Sequence, residues 1–347
     1  MKILILGLGV IGSTYGYILR KSGHDVAHYI RPTSQNHATE SLSVSLLDGR
    51  HDKKGLQTED HYPITHATPG SRYDFIIVSL SSLHLEEALE TLRDNCFEGT
   101  ILLFCGVWES REHIERIMAG RPYLLGYPVA GGRLNKADCR LECVVFDHIM
   151  LESRERTAVE NYDDITRSFL QSGIKSECPH DMLEWIWLHM SINAGVISTI
   201  IALAEADPKR ADECVERLMN STHLLRRAVL TVRECMKIVA GRGVNLRHYR
   251  GEVLPFRLPV WLSAPLMKRM FATQILTRRI MLLHANVPDL LHVCRLVYRE
   301  GKVQSATCPL FNDNVERYML PETTERSPLS EAHSPSVGPS VHEHHDA

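Results

Sequence analysis

The chain opens with a glycine-rich turn placed directly after a short apolar run. Lys2 to Leu6 predicts a strand, Gly7-Leu8-Gly9-Val10-Ile11-Gly12 follows at once, and Ser13 to Ser22 predicts a helix that ends at Gly23. In such a unit the first glycine makes a sharp turn, the second lets the backbone approach a pyrophosphate, and the third lets the helix pack on the strand. Amides at a helix start also favour phosphate. A second predicted strand, Asp25 to Ile30, completes the unit, so the motif predicts dinucleotide binding rather than an ordinary turn.

The residue after the second predicted strand indicates which dinucleotide is bound. Arg31 stands at that end, where the adenosine ribose of a bound dinucleotide lies. NAD sites usually place a carboxylate there, whereas a cation accommodates the additional phosphate of NADP. Asp25 lies at the opposite end of the strand and cannot serve. The sequence therefore favours NADP(H) over NAD(H), with a purely surface role for Arg31 as the alternative.

Length and composition are those of an ordinary globular protein. The 347 residues predict two domains, and a hydrophobic content of 44%, a charged content of 23% and a net charge of −3 give no sign of nucleic acid or membrane as a partner. Nine scattered cysteines favour free thiols and a cytoplasmic location over disulfides. Cys139 and Cys143 are too few for a zinc site, so we expect no metal.

Two kinds of hydrophobic pattern divide the chain. In residues 1–178 apolar strand candidates alternate with helical patterns, which predicts an α/β fold: a Rossmann-like domain with a mostly parallel sheet covered on both faces. The clearest strand candidates beyond the first two are Asp74 to Leu80, Thr100 to Phe104, Tyr123 to Leu125 and Cys143 to Phe146. Residues 179–320 predict an all-helical second domain. Residues 321–347 are rich in Ser, Pro, Thr, Glu and His and predict a disordered tail.

One apolar stretch, Ile186 to Ala204, has nearly the composition of a membrane span. His189 is its only basic or acidic side chain. The stretch also contains polar residues that are costly against lipid, namely Ser191, Asn193, Ser198 and Thr199. We therefore predict a buried helix whose polar groups face a cleft.

A Rossmann-like domain joined to an all-helical domain, with Gly7 to Gly12 and Arg31 at this spacing, resembles the ketopantoate reductase family. The resemblance extends over most of the chain, up to about residue 320. In that family the helical domain opens with a tryptophan two residues before a catalytic lysine, and an asparagine follows that lysine by four. The matching segment here is Trp187-Leu-His189-Met-Ser-Ile-Asn193. The resemblance implies an NADPH-dependent reductase whose helical domain holds the substrate and the catalytic residues.

His189 occupies the position of the family's lysine, which gives a proton to the carbonyl oxygen as hydride arrives. A spacing of four residues places His189 and Asn193 on one face of a helix, so both can address one ligand. An unperturbed imidazole, with a pKa of about 6.5, can protonate an oxyanion near neutral pH. The resemblance thus implies His189 and Asn193 as catalytic residues. The alternative is a core histidine whose ring is satisfied by a backbone carbonyl.

Other polar residues of the family are replaced. The family's Asn-Gly pair appears as Cys105-Gly106, so the resemblance implies Cys105 as a residue that borders the cofactor. A second asparagine falls on Ile197 and another lysine on Ser81, while a late glutamate has no match near Ala285 to Asp289. A nucleophilic role for Cys105 is a weaker alternative.

Two functions therefore stay open. The first is an NADPH-dependent reductase of a carbonyl (a 2-oxo acid or a ketone) or an imine on a small metabolite other than ketopantoate. The second is a protein without net redox chemistry, such as a nucleotide-responsive binding protein or a cyclase or isomerase that uses the interdomain pocket. Retention of the glycine turn, Arg31 and Asn193 favours the first, and loss of the polar positions favours the second. Both take a small-molecule substrate or ligand, and a homodimer is left open as the assembly.

Overall fold

The computed structural model describes residues 1–283 and 287–320 of the chain. Its strands are β1 (Lys2–Leu6), β2 (Asp25–Tyr29), β3 (Ser41–Asp48), β4 (Leu56–Pro63), β5 (Arg72–Val78), β6 (Glu98–Phe104), β7 (Tyr123–Tyr127), β8 (Ala130–Asn135), β9 (Arg140–Val145), β10 (His148–Leu151) and β11 (Lys175–Glu177). Its α-helices are α1 (Val10–Lys21), α2 (Leu85–Asp94), α3 (Arg111–Met118), α4 (Tyr162–Gln171), α5 (Met182–Leu203), α6 (Ala211–Asn220), α7 (Thr222–Gly241), α8 (Arg250–Arg257), α9 (Val260–Thr273), α10 (Ile275–Leu283), α11 (Val287–Val303) and α12 (Pro309–Tyr318). The tail predicted for residues 321–347 lies outside the described residues.

A seven-stranded sheet in the order β11-β10-β7-β6-β5-β1-β2 forms the centre of the N-terminal part. Its neighbouring strands are parallel except for the antiparallel pair of β7 and β10. The α/β class and the mostly parallel sheet are therefore confirmed. Because parallel strands end at the same edge, the segments after β1, β2, β5, β6 and β7 meet there, where ligands bind in sheets of this kind.

A second sheet, in the order β4-β3-β9-β8, was not predicted. The strand candidate Cys143 to Phe146 lies in its β9 rather than in the larger sheet. Helix α1 runs between the two sheets and contacts β8 and β9, so Gly12 to Leu19 are all buried. The hairpin of β3 and β4 gave little signal because β4 is mostly exposed, with Tyr62 as its one buried residue.

The regular elements described after β11 are all helices. The central helix is α5, which packs against α7, α11 and α12. A Cβ atom on Gly195 would lie 2.6 Å from Val232 Cα, so a glycine at this position lets α5 and α7 approach closely. By length and composition α5 is apolar enough to cross a membrane, but it occupies the interior of the helical part, as predicted for a buried helix.

The polar side chains of α5 divide into two groups. Ser191, Ser198 and Thr199 are fully buried, and the latter two donate hydrogen bonds to the Gly195 carbonyl. The prediction that they face a cleft is wrong for these three. The helix backbone satisfies the Ser198 and Thr199 hydroxyls, whereas the Ser191 hydroxyl is buried without a hydrogen-bond partner among the described residues. His189 and Asn193 are partly exposed. They are therefore the polar side chains beyond the first turn of α5 that reach its partly exposed surface.

The sheet and the helices share one apolar core. Arg242, just after α7, lies at the join: its guanidinium carbon is 4.8 Å from the Trp108 ring centroid and 4.2 Å from that of Trp187. It also forms an ion pair with Glu300, at 2.6 Å, and donates to the Trp108 carbonyl. These contacts fix the start of α5 against the segment after β6. The strand-to-helix change falls between β11 and α5, and the domain boundary at residue 178 stays a prediction.

Candidate active site

The glycine turn has the geometry that a dinucleotide cradle needs. Gly7 has a φ of +90°, which favours glycine, and its amide donates to the Tyr29 carbonyl at 2.8 Å. A Cβ atom added to Gly9 would meet nothing within 4 Å, so this exposed backbone is open to a ligand. A Cβ atom on Gly12 would lie 2.6 Å from Ile5 Cγ2, so only glycine lets α1 pack this closely on β1. Each glycine has a local geometry compatible with its predicted role, and cofactor binding by the turn stays a prediction.

The remaining residues of the motif support the turn from the core side. Leu8 is buried in the same apolar cluster as Tyr17 and Ile18, and Val10 and Ile11 pack against that cluster from the first turn of α1. These three side chains therefore anchor the loop to the apolar core, and the surface that the loop exposes at Gly9 is backbone. Their assignment to cofactor binding stays a prediction that concerns the backbone.

A buried histidine lies directly beneath the glycine turn, and the sequence analysis did not identify it. His28 of β2 has no exposed surface, with Nδ1 2.8 Å from the Gly7 carbonyl oxygen and Nε2 2.8 Å from the Tyr62 hydroxyl. Burial lowers the pKa of His28 to about 4, so the ring is neutral near pH 7. Its partner is remote in sequence and lies on the unpredicted sheet, so no sequence pattern marked the pair.

Arg31 follows β2 at the predicted edge and is about half-exposed. It forms an ion pair with Glu87 of α2, and His84 Nδ1 lies 3.4 Å from the second carboxylate oxygen of the same glutamate. The cation is thus at the position where a ribose phosphate is expected, but it is shared with a carboxylate. Glu87 was not among the predicted site residues. Its position in the first turn of α2 was the one sequence feature that could have indicated it.

The end of β6 brings Cys105 and Gly106 to the same edge. Cys105 is buried, and its pKa is raised to about 12, mainly by burial and also by the Glu109 carboxylate. The thiol is therefore protonated near neutral pH, which gives the nucleophile hypothesis no support. A Cβ atom on Gly106 would lie 3.3 Å from Met190 Sδ, so the strand end contacts α5 one residue from His189.

His189 lies within a cluster of aromatic rings at the carboxyl end of β7. Its ring centroid is 4.6 Å from that of Tyr127 and 4.8 Å from that of Trp185, with which it stacks at an interplanar angle of 13°. Trp185 Nε1 donates to Glu252 Oε1 at 2.9 Å, which fixes the indole. The structure thus brings His189 to the ends of β6 and β7, and Asn193 follows one helical turn later. Trp185 was identifiable as the residue four positions before His189.

Helix α11 adds a second histidine near this edge. His292 is partly buried, which lowers its pKa, while the carboxylates of Glu109 and Asp289 act in the opposite direction. Glu109 also acts on Cys105, so His292 lies near the end of β6. Of the segment where the family's late glutamate was sought, residues 284–286 lie outside the part of the chain that the structure describes.

Comparison with known proteins agrees with this architecture. Residues 3–142 match the family model described as ketopantoate reductase PanE/ApbA. A 2-dehydropantoate 2-reductase of Pyrococcus horikoshii is 25% identical over 258 residues, which cover 71% of this chain and 75% of that protein. The structure of D-mandelate dehydrogenase with NADH and anilino(oxo)acetate aligns over 92% of this chain and 97% of that chain, with a TM-score of 0.63 at 15% identity.

A second solved structure, yersinopine dehydrogenase with NADP+ bound, aligns over 92% of this chain and 90% of that chain, with a TM-score of 0.60 at 14% identity. At these identities the two solved structures show a shared fold. The family model covers the glycine turn and the ends of β1 and β2. The similarity to the Pyrococcus horikoshii protein extends over 71% of the chain. Residues 3–142 thus match the ketopantoate reductase family model, and the chain is similar to 2-dehydropantoate 2-reductases over most of its length.

Proposed function

We propose that this protein is an NADPH-dependent reductase of a carbonyl or imine on a small metabolite other than ketopantoate. The observation that carries the proposal is the meeting of two groups at one sheet edge. The open backbone at Gly9 lies after β1, and the partly exposed His189 lies against Tyr127 at the end of β7. The backbone at Gly9 suits a dinucleotide, and the His189 side chain suits proton transfer to a substrate.

The residues present fit a nicotinamide dinucleotide. The turn from Gly7 to Gly12 and the amides at the start of α1 would hold the pyrophosphate, and Arg31 would hold the 2′-phosphate of NADPH. Arg31 must exchange the carboxylate of Glu87 for that phosphate, which is a charge-for-charge replacement at an exposed site. When bound, the cofactor supplies hydride. The protein positions both molecules and supplies a proton.

His189 is suited to hold that proton. Trp185 stacks on its ring and Tyr127 packs on it at a tilt, so the imidazole has a defined orientation toward the sheet edge. Asn193, one turn along the same face, would then orient the substrate.

The surroundings of His189 are less polar than those implied by the family resemblance. Cys105 replaces an amide with a neutral thiol, Ile197 replaces a second amide, and Tyr127 and Trp185 supply aromatic surface. A substrate that lies between them therefore has an apolar or aromatic group beside its carbonyl, because such a group needs no hydrogen-bond partner there.

An absorbance assay of nicotinamide oxidation tests the proposal. Purified protein would be incubated with NADPH or NADH and a panel of 2-oxo acids, ketones and imines that differ in side-chain polarity. We expect turnover with NADPH, highest for members with apolar or aromatic side chains. Tight NADPH binding without turnover across the panel would instead favour the non-redox alternative, a nucleotide-responsive binding protein or a cyclase or isomerase.

A further inference from the structure

The glycine turn rests on a buried polar pair that joins both sheets. His28 comes from β2 of the larger sheet and Tyr62 from β4 of the smaller one, and both side chains are essentially fully buried. Their link is the 2.8 Å contact between His28 Nε2 and the Tyr62 hydroxyl. The other ring nitrogen, Nδ1, contacts the Gly7 carbonyl oxygen, also at 2.8 Å. A chain of hydrogen bonds therefore runs from the second sheet to the first glycine of the turn.

The chemistry of the three groups fixes the direction of each hydrogen bond. The Gly7 carbonyl can only accept, so Nδ1 carries the proton and donates. Nε2 is then the acceptor, and the Tyr62 hydroxyl donates to it. Every polar atom of a neutral imidazole is satisfied in this arrangement, and leaving one unpaired in this environment would be costly. The pair is thus complete without any contribution from solvent.

Helix α1 is shaped to admit this pair. A Cβ atom on Gly16 would lie 2.6 Å from the Tyr62 hydroxyl and 3.1 Å from His28 Nε2. A glycine inside a helix is unfavourable relative to alanine. The position of Gly16, outside the glycine motif itself, is explained by the space that His28 and Tyr62 need.

Both backbone polar groups of Gly7 are directed into the protein. Its amide donates to Tyr29 and its carbonyl accepts from His28, so the peptide planes on both sides of Gly7 are held. The amides that follow, from Gly9 into α1, are then left to face the ligand. A turn held in this way binds a pyrophosphate without first being ordered, which lowers the entropic cost of binding.

We propose that His28 and Tyr62 are positioning residues for dinucleotide binding, which act through the Gly7 carbonyl and touch neither cofactor nor substrate. The inference rests on the proposed function only in that the ligand is a dinucleotide. It assigns to the second sheet, which has no counterpart in the glycine motif, a part in holding the cofactor.

Paired substitutions at position 28 separate positioning from simple packing. Asparagine offers an amide N–H close to where Nδ1 stands, whereas phenylalanine fills the space and offers no donor. We expect His28→Phe to weaken NADPH and NADP+ binding by about ten-fold or more, the effect of one lost strong hydrogen bond. His28→Asn should stay within about three-fold of the wild type, and Tyr62→Phe should fall between them. Affinities would be measured by calorimetry and folding by thermal unfolding.

Three results would overturn the inference. The first is an equal affinity for NADPH in folded His28→Phe and wild-type protein. The second is an equal loss of affinity in His28→Phe and His28→Asn, which would indicate that His28 acts by packing alone. The third, which decides if His28→Phe does not fold, is an unchanged affinity in Tyr62→Phe. His66→Asn is the matched control, since His66 is an exposed histidine on the segment beside β2 and should leave affinity unchanged. A wild-type protein that binds neither dinucleotide contradicts the proposed function itself, so the two failures are distinguishable.

Discussion

The two halves of the candidate site are built in different ways. At the glycine turn the ligand-facing surface is backbone: Gly7 turns, Gly9 is open and Gly12 packs. At the ends of β6 and β7 it is side chains, notably Tyr127 and His189. A backbone site survives only if its glycines stay at fixed spacing, so it remains visible in the sequence. A side-chain site can change its chemistry one residue at a time while the fold persists.

That difference explains where the family pattern holds and where it departs. The glycine turn is retained in full, and its geometry leaves little freedom for replacement. By the family resemblance, Cys105 and His189 stand in place of polar residues, and this chain still forms the strand end and the helix that present them. The contrast predicts that substitutions in the first half change cofactor affinity, whereas those in the second half change turnover.

The largest effect is expected for His189→Ala. A positioned general acid contributes about 10²–10⁴-fold, so kcat should fall by that order while NADPH affinity stays nearly constant. Single-turnover kinetics with the best substrate of the panel, together with a calorimetric titration of NADPH, would measure both. His189→Lys should recover part of the lost rate.

The control for this variant is His180→Ala, since His180 is an exposed histidine just before α5 and lies against His248 rather than Tyr127. His180→Ala should leave both kcat and NADPH affinity unchanged. Retention of most of kcat in His189→Ala would contradict the assignment. The proton donor would then have to be sought at His292 or in a bound water.

The same contrast limits what the sequence reveals. The strands β1, β2, β5 and β6 were predicted to within two residues at each end, because apolar runs bounded by glycine or polar residues carry that information locally. Two features were lost: the exposed strand β4, whose pattern is mostly polar, and the pair that Tyr62 of that strand makes with His28, 34 residues away. At α5, spacing alone predicted the shared face of His189 and Asn193, but the packing of Tyr127 on His189 depends on the fold.

Gly9→Val should produce the next largest effect. Gly9 has φ −99° and ψ 171°, an extended conformation that valine adopts readily, and no atom lies within 4 Å of the added Cβ. The variant should therefore fold normally yet block the pyrophosphate. Loss of about two charge-assisted hydrogen bonds corresponds to a roughly hundred-fold weaker affinity.

Gly251→Val is the matched control, because Gly251 of α8 also has open space around its Cβ position and lies on the helical part. It should bind NADPH as the wild type does. Unchanged nucleotide affinity in a folded Gly9→Val protein would show that the glycine turn is not the binding site.

The buried histidine predicts a smaller, pH-dependent effect on stability. The pKa of His28 is about 4 in the folded protein, lowered mainly by burial, with His66 and Arg20 of α1 acting in the same direction. It is about 6.5 in the unfolded chain. Between these values the unfolded state binds more protons, so the contribution of neutral His28 is complete above about pH 6.5 and is lost as the pH falls toward 4.

At about pH 5 the loss amounts to about 2 kcal/mol of the free energy of unfolding. Denaturant unfolding near pH 7.5 and pH 5 would measure it, with His28→Asn as the reference that lacks the titrating ring. Wild type and variant that lose equal stability over this interval would show that His28 is not held neutral by burial.

Arg31→Ala should weaken NADPH binding by about ten-fold and hardly affect NADH, since a hydrogen bond to a charged group contributes about 1.5–3 kcal/mol and about 1.4 kcal/mol corresponds to ten-fold. The effect is smaller than at Gly9 because the side chain is half-exposed and already paired. Parallel titrations of wild type and variant with NADPH and NADH measure the change in affinity for each dinucleotide. Equal weakening of both would assign Arg31 a structural role only.

The smallest effect, in the opposite direction, is expected for Glu87→Gln. The Glu87 carboxylate now holds Arg31, so NADPH must displace it, whereas a glutamine competes only weakly for the guanidinium. Exposed ion pairs are worth about 0–1 kcal/mol, so NADPH should bind up to about five-fold more tightly while NADH is unaffected. Glu90→Gln is the matched control, because Glu90 lies on the same helix and faces Arg93 instead. Weaker NADPH binding in Glu87→Gln would mean that Glu87 orients Arg31 for the phosphate rather than competing with it, and the first half of the site would then depend on a side-chain pair as well as on backbone.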